Sequence, residues 1–326
     1  MNKDKVVLIT GSCGFIGMHT CELFLKKNYT VVGIDNLNDY YNPLLKKKRL
    51  AVLRKYENFI FHKTDITKFN SLNTKVKKYS PKTIIHLAAQ AGVRYSLINP
   101  WEYINVNLLG TTNIFESARL NKVSTVLYAS SSSVYGNSQA AKFKESDNTD
   151  HPVSLYAATK KSGELIAHSY HKLYKINAVG LRFFTVYGPY DRPDMALFMF
   201  SSKILRDEPI DVFSGGELER DFTYIDDIVQ GIWGAYKIKK AGYRIYNLGG
   251  NKTHSVNQFI SFIEKSLNKK AIRNELPFQK GDVPKTSANI SKSKKDLMYE
   301  PKTKLREGIE KRNAWFIKNW SWLQKI

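Results

Sequence analysis

Tyr156 and Lys160 stand four residues apart in the run Ser154-Leu155-Tyr156-Ala157-Ala158-Thr159-Lys160. On a helix, positions i and i+4 share a face, so the Lys160 ammonium falls beside the Tyr156 phenol. A free phenol titrates at about pH 10. A neighbouring cation favours the phenolate and draws it toward use as a base at neutral pH. Such a pair is commonplace on amphipathic helices, so its weight depends on what accompanies it. Gly11-Ser12-Cys13-Gly14-Phe15-Ile16-Gly17 directly follows a strand-like run and opens a helical one. In such a loop Gly11 permits a tight turn, Gly14 lets the backbone approach a pyrophosphate, and Gly17 allows close helix–strand packing. The helix start offers free N–H groups and a positive dipole end to phosphates. The next strand ends in Asp35, about the 20 residues on that a dinucleotide fingerprint requires. Its carboxylate suits ribose hydroxyls and repels a 2′-phosphate, and no Arg follows in Asn36-Leu37. NAD is therefore favoured over NADP. The serine run Ser130-Ser131-Ser132-Ser133 ends the fifth strand-like stretch, where open α/β sheets bind ligands. Alone, that run is a polar turn.

These groups need a scaffold, and the first 180 or so residues provide the pattern for one. Apolar, β-branched runs at 6–10, 30–34, 59–62, 83–87, 125–130 and 178–182 alternate with helical stretches, clearest at 15–27, 101–120 and 155–175. The alternation predicts an α/β fold, a doubly wound parallel sheet with helices on both faces. Its continuous apolar strands match burial on two sides. After Arg182 turn residues multiply (Gly188-Pro189, Arg192-Pro193, Glu208-Pro209, Gly215-Gly216). Short strands at 210–213 and 243–248 and helices near 195–206, 226–238 and 256–267 predict a smaller α+β C-terminal lobe. The division expected is 1–182 for the dinucleotide-binding part and 183–326 mainly for a substrate lobe.

The chain's 326 residues, 42% hydrophobic and 25% charged, exclude collagen-like and wholly disordered classes. No apolar run approaches the roughly 18 residues of a membrane span, and the first residues do not form a secretory h-region. Cys13 and Cys21 make no disulfide framework, so the expectation is a cytoplasmic protein. The net charge of +22 raises nucleic-acid binding. The basic residues are mostly scattered Lys, as in Lys46-Lys47-Lys48-Arg49, and no nucleic-acid-binding motif accompanies them. Neither nucleic acid nor membrane is expected as a partner. Glu164, His168 and His171 share helical spacing, but no catalytic need for a metal is visible and none is expected. Asp226-Asp227 reads as a helix N-terminal acidic pair, Cys13 as a packing residue, and Trp315, Phe316, Trp320 and Trp322 as core or subunit contact.

The Gly-x-x-Gly-x-x-Gly spacing with Tyr-x-x-x-Lys downstream resembles the extended branch of the short-chain dehydrogenase/reductase superfamily. Further stretches narrow the match: Ala88-Ala89-Gln90-Ala91-Gly92-Val93-Arg94, Leu181-Arg182-Phe183-Phe184-Thr185-Val186-Tyr187-Gly188-Pro189, Arg192-Pro193-Asp194-Met195-Ala196 and Arg220-Asp221-Phe222-Thr223-Tyr224. Together they are most similar to the UDP-glucuronate 4-epimerases, along essentially the whole chain. The resemblance implies catalysis by Ser131, Tyr156 and Lys160, with the register inside the serine run open by one. It implies an NAD site of Gly11, Gly14, Phe15, Ile16, Gly17, Asp35, Asn36, Asp65, Ile66, Leu87, Ala88, Ala89, Asn107 and Phe183, with Tyr156 and Lys160. For the UDP-sugar it implies Arg94, with Ser132, Ser133, Thr185 and Arg192 around the sugar carboxylate and Arg220 and Asp282 on the nucleotide. Arg is suited to bidentate binding of a carboxylate. Gln279 stands where some hexose epimerases carry Arg, which leaves the second phosphate contact open.

The resemblance further implies a homodimer and a segment near 228–250 that returns to the NAD domain. Related dehydratases place an Asp-Glu pair where Ser132-Ser133 stand, and related uronate decarboxylases a Glu at the position of Ser133; this chain has neither. The expected reaction interconverts UDP-glucuronate and UDP-galacturonate through a 4-keto sugar. The alternatives are a 4-epimerase of a neutral or N-acetylated UDP-hexose and a non-catalytic dinucleotide-binding scaffold.

Overall fold

The computed structural model describes residues 5–238, 241–278 and 285–326; Gln279 and Asp282 lie outside them. Strand β1 (Val6–Thr10) is buried along its whole length, and its alternate side chains enter two different cores. Val7 and Ile9 belong to one, Val6 and Leu8 to the other. This period of two explains why the strand has no polar face.

Six further strands join β1 in parallel: β2 (Thr30–Asp35), β3 (Phe59–Lys63), β4 (Thr83–His86), β5 (Thr125–Ser131), β6 (Asn177–Phe183) and β11 (Tyr243–Leu248). Their order is β11-β6-β5-β4-β1-β2-β3. It reverses direction between β1 and β4, the crevice where such sheets hold ligands. Helices α1 (Phe15–Lys26), α2 (Pro43–Leu53) and α3 (Phe69–Tyr79) connect the early strands. Strand β11 arrives after a long excursion and pairs with β6 from Tyr243↔Ala178 to Leu248↔Phe183.

The helix expected over 101–120 differs in one respect. Helix α4 (Pro100–Tyr103) runs into a π-helical stretch at Ile104–Gly110 and on into α5 (Thr111–Leu120). The wider turn gives Asn107 a buried position facing Gln90, whose N–H and C=O it pairs at 2.9 and 3.0 Å. Helix α6 (Leu155–Tyr174) starts at Ser154, whose hydroxyl accepts from the Ala157 N–H.

Beyond β6 the strands are short and pair locally: β7 (Thr185–Tyr187) with β10 (Phe222–Tyr224), β8 (Ile210–Phe213) with β13 (Arg273–Leu276), and β9 (Glu219–Arg220) with β12 (His254–Ser255). Helices α7 (Ala196–Leu205), α8 (Ile225–Lys237), α9 (Val256–Leu267), α10 (Ser291–Leu297) and α11 (Leu305–Lys318) complete this part, followed by α12 (Trp320–Leu323). Phe198, Phe316 and Leu323 form a small core against Trp315, Trp320 and Trp322. Asp191 and Arg312 form a fully buried ion pair at 2.9 Å, which fixes the 190–191 loop to α11. Among the described residues no helix is long and apolar enough to cross a membrane.

Candidate active site

A cleft of about 410 Å³ opens along the carboxyl ends of β1, β2, β4 and β5. The glycine loop forms its floor. Gly11 has φ +69°, and a Cβ there would lie 2.7 Å from the Ala88 nitrogen. A Cβ at Gly17 would overlap the Gly11 carbonyl, so α1 packs on the loop only with glycine at that position. Gly14 caps α1 with no side-chain hydrogen bond, and the first turn carries no acidic residue. The helix thus presents unpaired N–H groups and its positive end to an anion.

Asp35 accepts from the Cys13 N–H at 3.0 Å and the Leu37 N–H at 2.8 Å. Its carboxylate is therefore fixed against the same loop. Asp65 accepts from Asn36 and from the backbone and hydroxyl of Thr67. Burial pushes its pKa up, but these hydrogen bonds outweigh burial and hold it below the ordinary carboxylate value. The glycines that exclude a Cβ, the bare helix start and the braced Asp35 together fit the diphosphate and ribose of a dinucleotide.

At the other end, Tyr156 sits in the first turn of α6 and meets Tyr103 edge-on at 6.1 Å. The Lys160 Nζ donates to the Ala129 carbonyl at 3.0 Å and lies 6.0 Å from the Tyr156 ring centroid. Burial lowers Lys160 to about 8. The electrostatics of Tyr156 differ from the expected ones. Burial raises the phenol, and the opposing influences are a hydrogen bond with Ser131 and the charge of Arg192. The i+4 spacing brings Lys160 to the right face, and one of its three N–H donors is engaged at the end of β5.

The serines of the run have different surroundings. Ser130 turns inward and donates to Glu164 at 2.6 Å, and Glu164 pairs with Arg182 in a buried bidentate contact. Ser131 faces Tyr156, shares a 3.1 Å hydroxyl contact with Ser133, and accepts from the Ser133 N–H. Ser132, Ser133, Thr185 and Arg192 all line the cleft. Arg192 is forked onto Asp194, with Nε and Nη2 at 2.9 and 2.5 Å from its two oxygens. The Tyr40 hydroxyl, from the loop after β2, donates to the same carboxylate.

Of the expected dinucleotide residues, Gly11, Gly14, Phe15, Ile16, Gly17, Asp35, Asn36, Asp65, Ile66, Leu87, Ala88, Ala89, Tyr156, Lys160 and Phe183 line the cleft. Asn107 lies behind the lining, holding Gln90. Arg94 is exposed on a short 3-10 turn with its guanidinium 5.1 Å from the Phe213 ring, and it does not join the lining. Nor does Arg220, whose Nη1 donates to the Glu219 carbonyl on β9. Residues not anticipated as site groups, Asn38, Tyr40, Tyr41, Lys46 and Gln90, do line it. Lys46 and Arg49, read as part of a scattered basic surface, are buried, while Lys47 and Lys48 are exposed. Their i, i+3 spacing beside Leu50 and Leu53 was the available signal.

The other chemical candidates are occupied elsewhere. Glu164 serves Arg182, His168 packs edge-on to Tyr243, and His171 bonds the Ile176 carbonyl. Cys13 is buried, and burial pushes its thiol up, which suits packing and not attack. Asp227 accepts from the N–H groups of Lys302 and Thr303.

The sequence profile described as the NAD dependent epimerase/dehydratase family matches residues 7–249. The chain belongs to this family. Among its relatives, an uncharacterized protein of Methanocaldococcus jannaschii is 52% identical over 99% of this chain and 100% of its own length. The UDP-glucuronate 4-epimerase of Thermodesulfobacterium geofontis is 46% identical over 98% of each chain. Among solved structures, the UDP-glucuronic acid 4-epimerase from Bacillus cereus, in complex with UDP-glucuronic acid and NAD, superposes with a TM-score of 0.91. It is 36% identical, over 96% of this chain and 99% of that one. In this epimerase/dehydratase chain, the family match takes in the glycine loop, Tyr156 and Lys160, and the strand that returns to the sheet.

Proposed function

We propose that this chain is an NAD-dependent 4-epimerase that interconverts UDP-glucuronate and UDP-galacturonate. The observation that carries the reading is the convergence of Tyr156, Ser131 and Arg192 at one end of the cleft whose other end is the glycine loop. Tyr156 takes the proton of the sugar C4 hydroxyl, and Ser131 hydrogen-bonds the same oxygen. NAD, when bound, supplies a hydride acceptor at C4 and returns the hydride after the 4-keto sugar has turned its other face. Gly14, Phe15 and Ile16 present the helix start to the diphosphate, and Asp35 takes the ribose hydroxyls. Lys160 orients the ribose beside Tyr156.

Ser132, Ser133, Thr185 and Arg192 surround the sugar carboxylate; the reading also keeps Arg94 as a substrate-binding residue and Arg220 and Asp282 as nucleotide contacts. A 4-keto uronate is a β-keto acid and loses carbon dioxide readily. Hydroxyls at 132 and 133 hold the carboxylate without offering the acidic proton a decarboxylase needs. The reading divides the chain near residue 183, with β11 returned to the NAD-binding part. It includes a cytoplasmic location, supported by two buried unpaired cysteines. It also includes a homodimer, supported by exposed apolar side chains on neighbouring helices: Trp101 on α4 and Leu165 and Leu173 on α6.

One observation favours a neutral UDP-hexose instead: the Arg192 fork is already filled by Asp194. Both readings meet one experiment, incubation with UDP-glucuronate without added NAD, followed by proton NMR of the sugar. Appearance of UDP-galacturonate with no pentose is the expected result. If nothing turns over even with NAD supplied, the uronate reading is wrong. The same assay on Arg192→Ala should be nearly silent; full turnover of UDP-glucuronate there would mean that Arg192 does not hold the sugar carboxylate.

A further inference from the structure

Arg49 of α2 has no exposed surface, yet its guanidinium reaches across the molecule. Nη1 donates to the Cys13 carbonyl of the glycine loop at 3.0 Å and to the Tyr41 hydroxyl at 2.5 Å. Nη2 donates to the carbonyls of Tyr190 at 2.7 Å and Asp191 at 3.3 Å. Nε is buried without a partner. Every acceptor is neutral, because the Asp191 carboxylate is taken by Arg312. A buried cation whose hydrogen bonds all go to neutral groups is a poor device for stability, since an apolar side chain of similar volume would pack as well.

The two ends of the span have a common consequence. Cys13 lies within the loop that receives the dinucleotide under the reading above. Tyr190 and Asp191 directly precede Arg192, the cation assigned to the sugar carboxylate. We propose that Arg49 is a positioning residue that ties the glycine loop to the arm carrying Arg192, so that dinucleotide retention and uronate recognition depend on one guanidinium. Holding the Cys13 carbonyl toward α2 keeps a negative dipole off the phosphate side of the loop, and a positive charge behind the loop, with no carboxylate hydrogen-bonded to it, favours an anion in front of it. Holding the 190–191 carbonyls fixes the backbone from which Arg192 extends. This inference rests on the epimerase reading for its sugar-side half.

The test compares the full-length protein with Arg49→Met, which removes the charge and the span, and Arg49→Lys, which keeps the charge but lacks the fork. For Arg49→Met, co-purified NAD should fall well below the wild-type stoichiometry. Its Kd for NAD, by calorimetry on stripped protein, should rise about tenfold or more. With NAD saturating, the KM for UDP-glucuronate should rise about tenfold while kcat changes less. The Kd for UDP, which has no carboxylate, should stay at the wild-type value. Arg49→Lys should recover part of the NAD affinity but not the KM.

Loss on one side only would reduce Arg49 to a local brace and overturn the coupling. A parallel rise in the UDP and UDP-glucuronate constants would mean general loosening and would also overturn it. If neither variant folds, Arg49 is a core element and the proposal falls. If the wild type fails to turn over UDP-glucuronate, the epimerase reading fails separately, and NAD calorimetry still decides the tie to the glycine loop.

Discussion

Burial lifts the Tyr156 phenol above its ordinary value, and a Ser131 hydrogen bond and the charge of Arg192 work against that lift. The sign of a mutation follows. Ser131 stabilises the phenolate, so deleting its hydroxyl leaves the upward push less opposed and the phenol holds its proton to higher pH. A Ser131→Ala enzyme should lose about a hundredfold in kcat/KM at neutral pH. The rising limb of its pH–rate profile should move to higher pH, so that part of the loss is recovered in alkaline solution. A uniform loss with an unmoved limb would mean that Ser131 acts on the sugar hydroxyl alone and not on the base. Ser130 cannot substitute from its place in the run, because it is committed to Glu164.

At the scale of elements, the π-helical stretch at Ile104–Gly110 matters most to the cleft wall. It aims the Asn107 amide at both the N–H and the C=O of Gln90, and at Thr159 on α6, which holds the 88–92 wall in place. Asn107→Leu would leave those two backbone groups buried and unpaired, at about 1–3 kcal/mol each. The variant should unfold at lower denaturant concentration by a few kcal/mol in all, and its KM for UDP-glucuronate should rise. An unchanged denaturation midpoint would show that the backbone finds other partners. This element also marks where reading the sequence ran out. The helix was visible over 101–120 because its apolar positions recur on one face, but a single wide turn leaves no mark in that period. Inner strands such as β1 and β4 were legible because both faces are buried and the runs are largely apolar, whereas β3 at the sheet edge is only half-buried. The two-residue strands β9 and β12 exist only through tertiary pairing, with each other and, for Glu219, with Lys285. Asp35 and the glycine loop were legible because local backbone geometry demands those residue types. Tyr40 and Lys46 reach the cleft through tertiary packing, which no local pattern records. Arg94 and Arg220, on the 3-10 turn and on β9, stand outside the cleft lining, a placement that no local pattern records either.

For the molecule as a whole, two features pull association in opposite directions. The chain carries +22, so two copies repel. Yet the surface over α4, the π stretch and α6 exposes Trp101 at 74%, Leu109 at 47%, Leu165 at 57% and Leu173 at 69% of their areas, on helices that pack against one another. An apolar band of this kind is what a subunit contact buries. The attraction is apolar and the opposition coulombic, so salt acts only on the opposition: the screening length falls from about 30 Å at 0.01 M to about 10 Å at 0.1 M. A homodimer built on this band should therefore tighten as salt is raised, the reverse of a contact built from ion pairs. Light scattering across a dilution series should give twice the 37.4 kDa chain mass, with the dissociation midpoint moving to lower protein concentration in higher salt. Leu165→Lys should shift the protein to the monomer mass while leaving the NAD content per chain unchanged, since the band lies outside the cleft. A monomer at every salt concentration would remove the dimer from the reading. A dimer that weakens with salt would place the contact on some other, charged face.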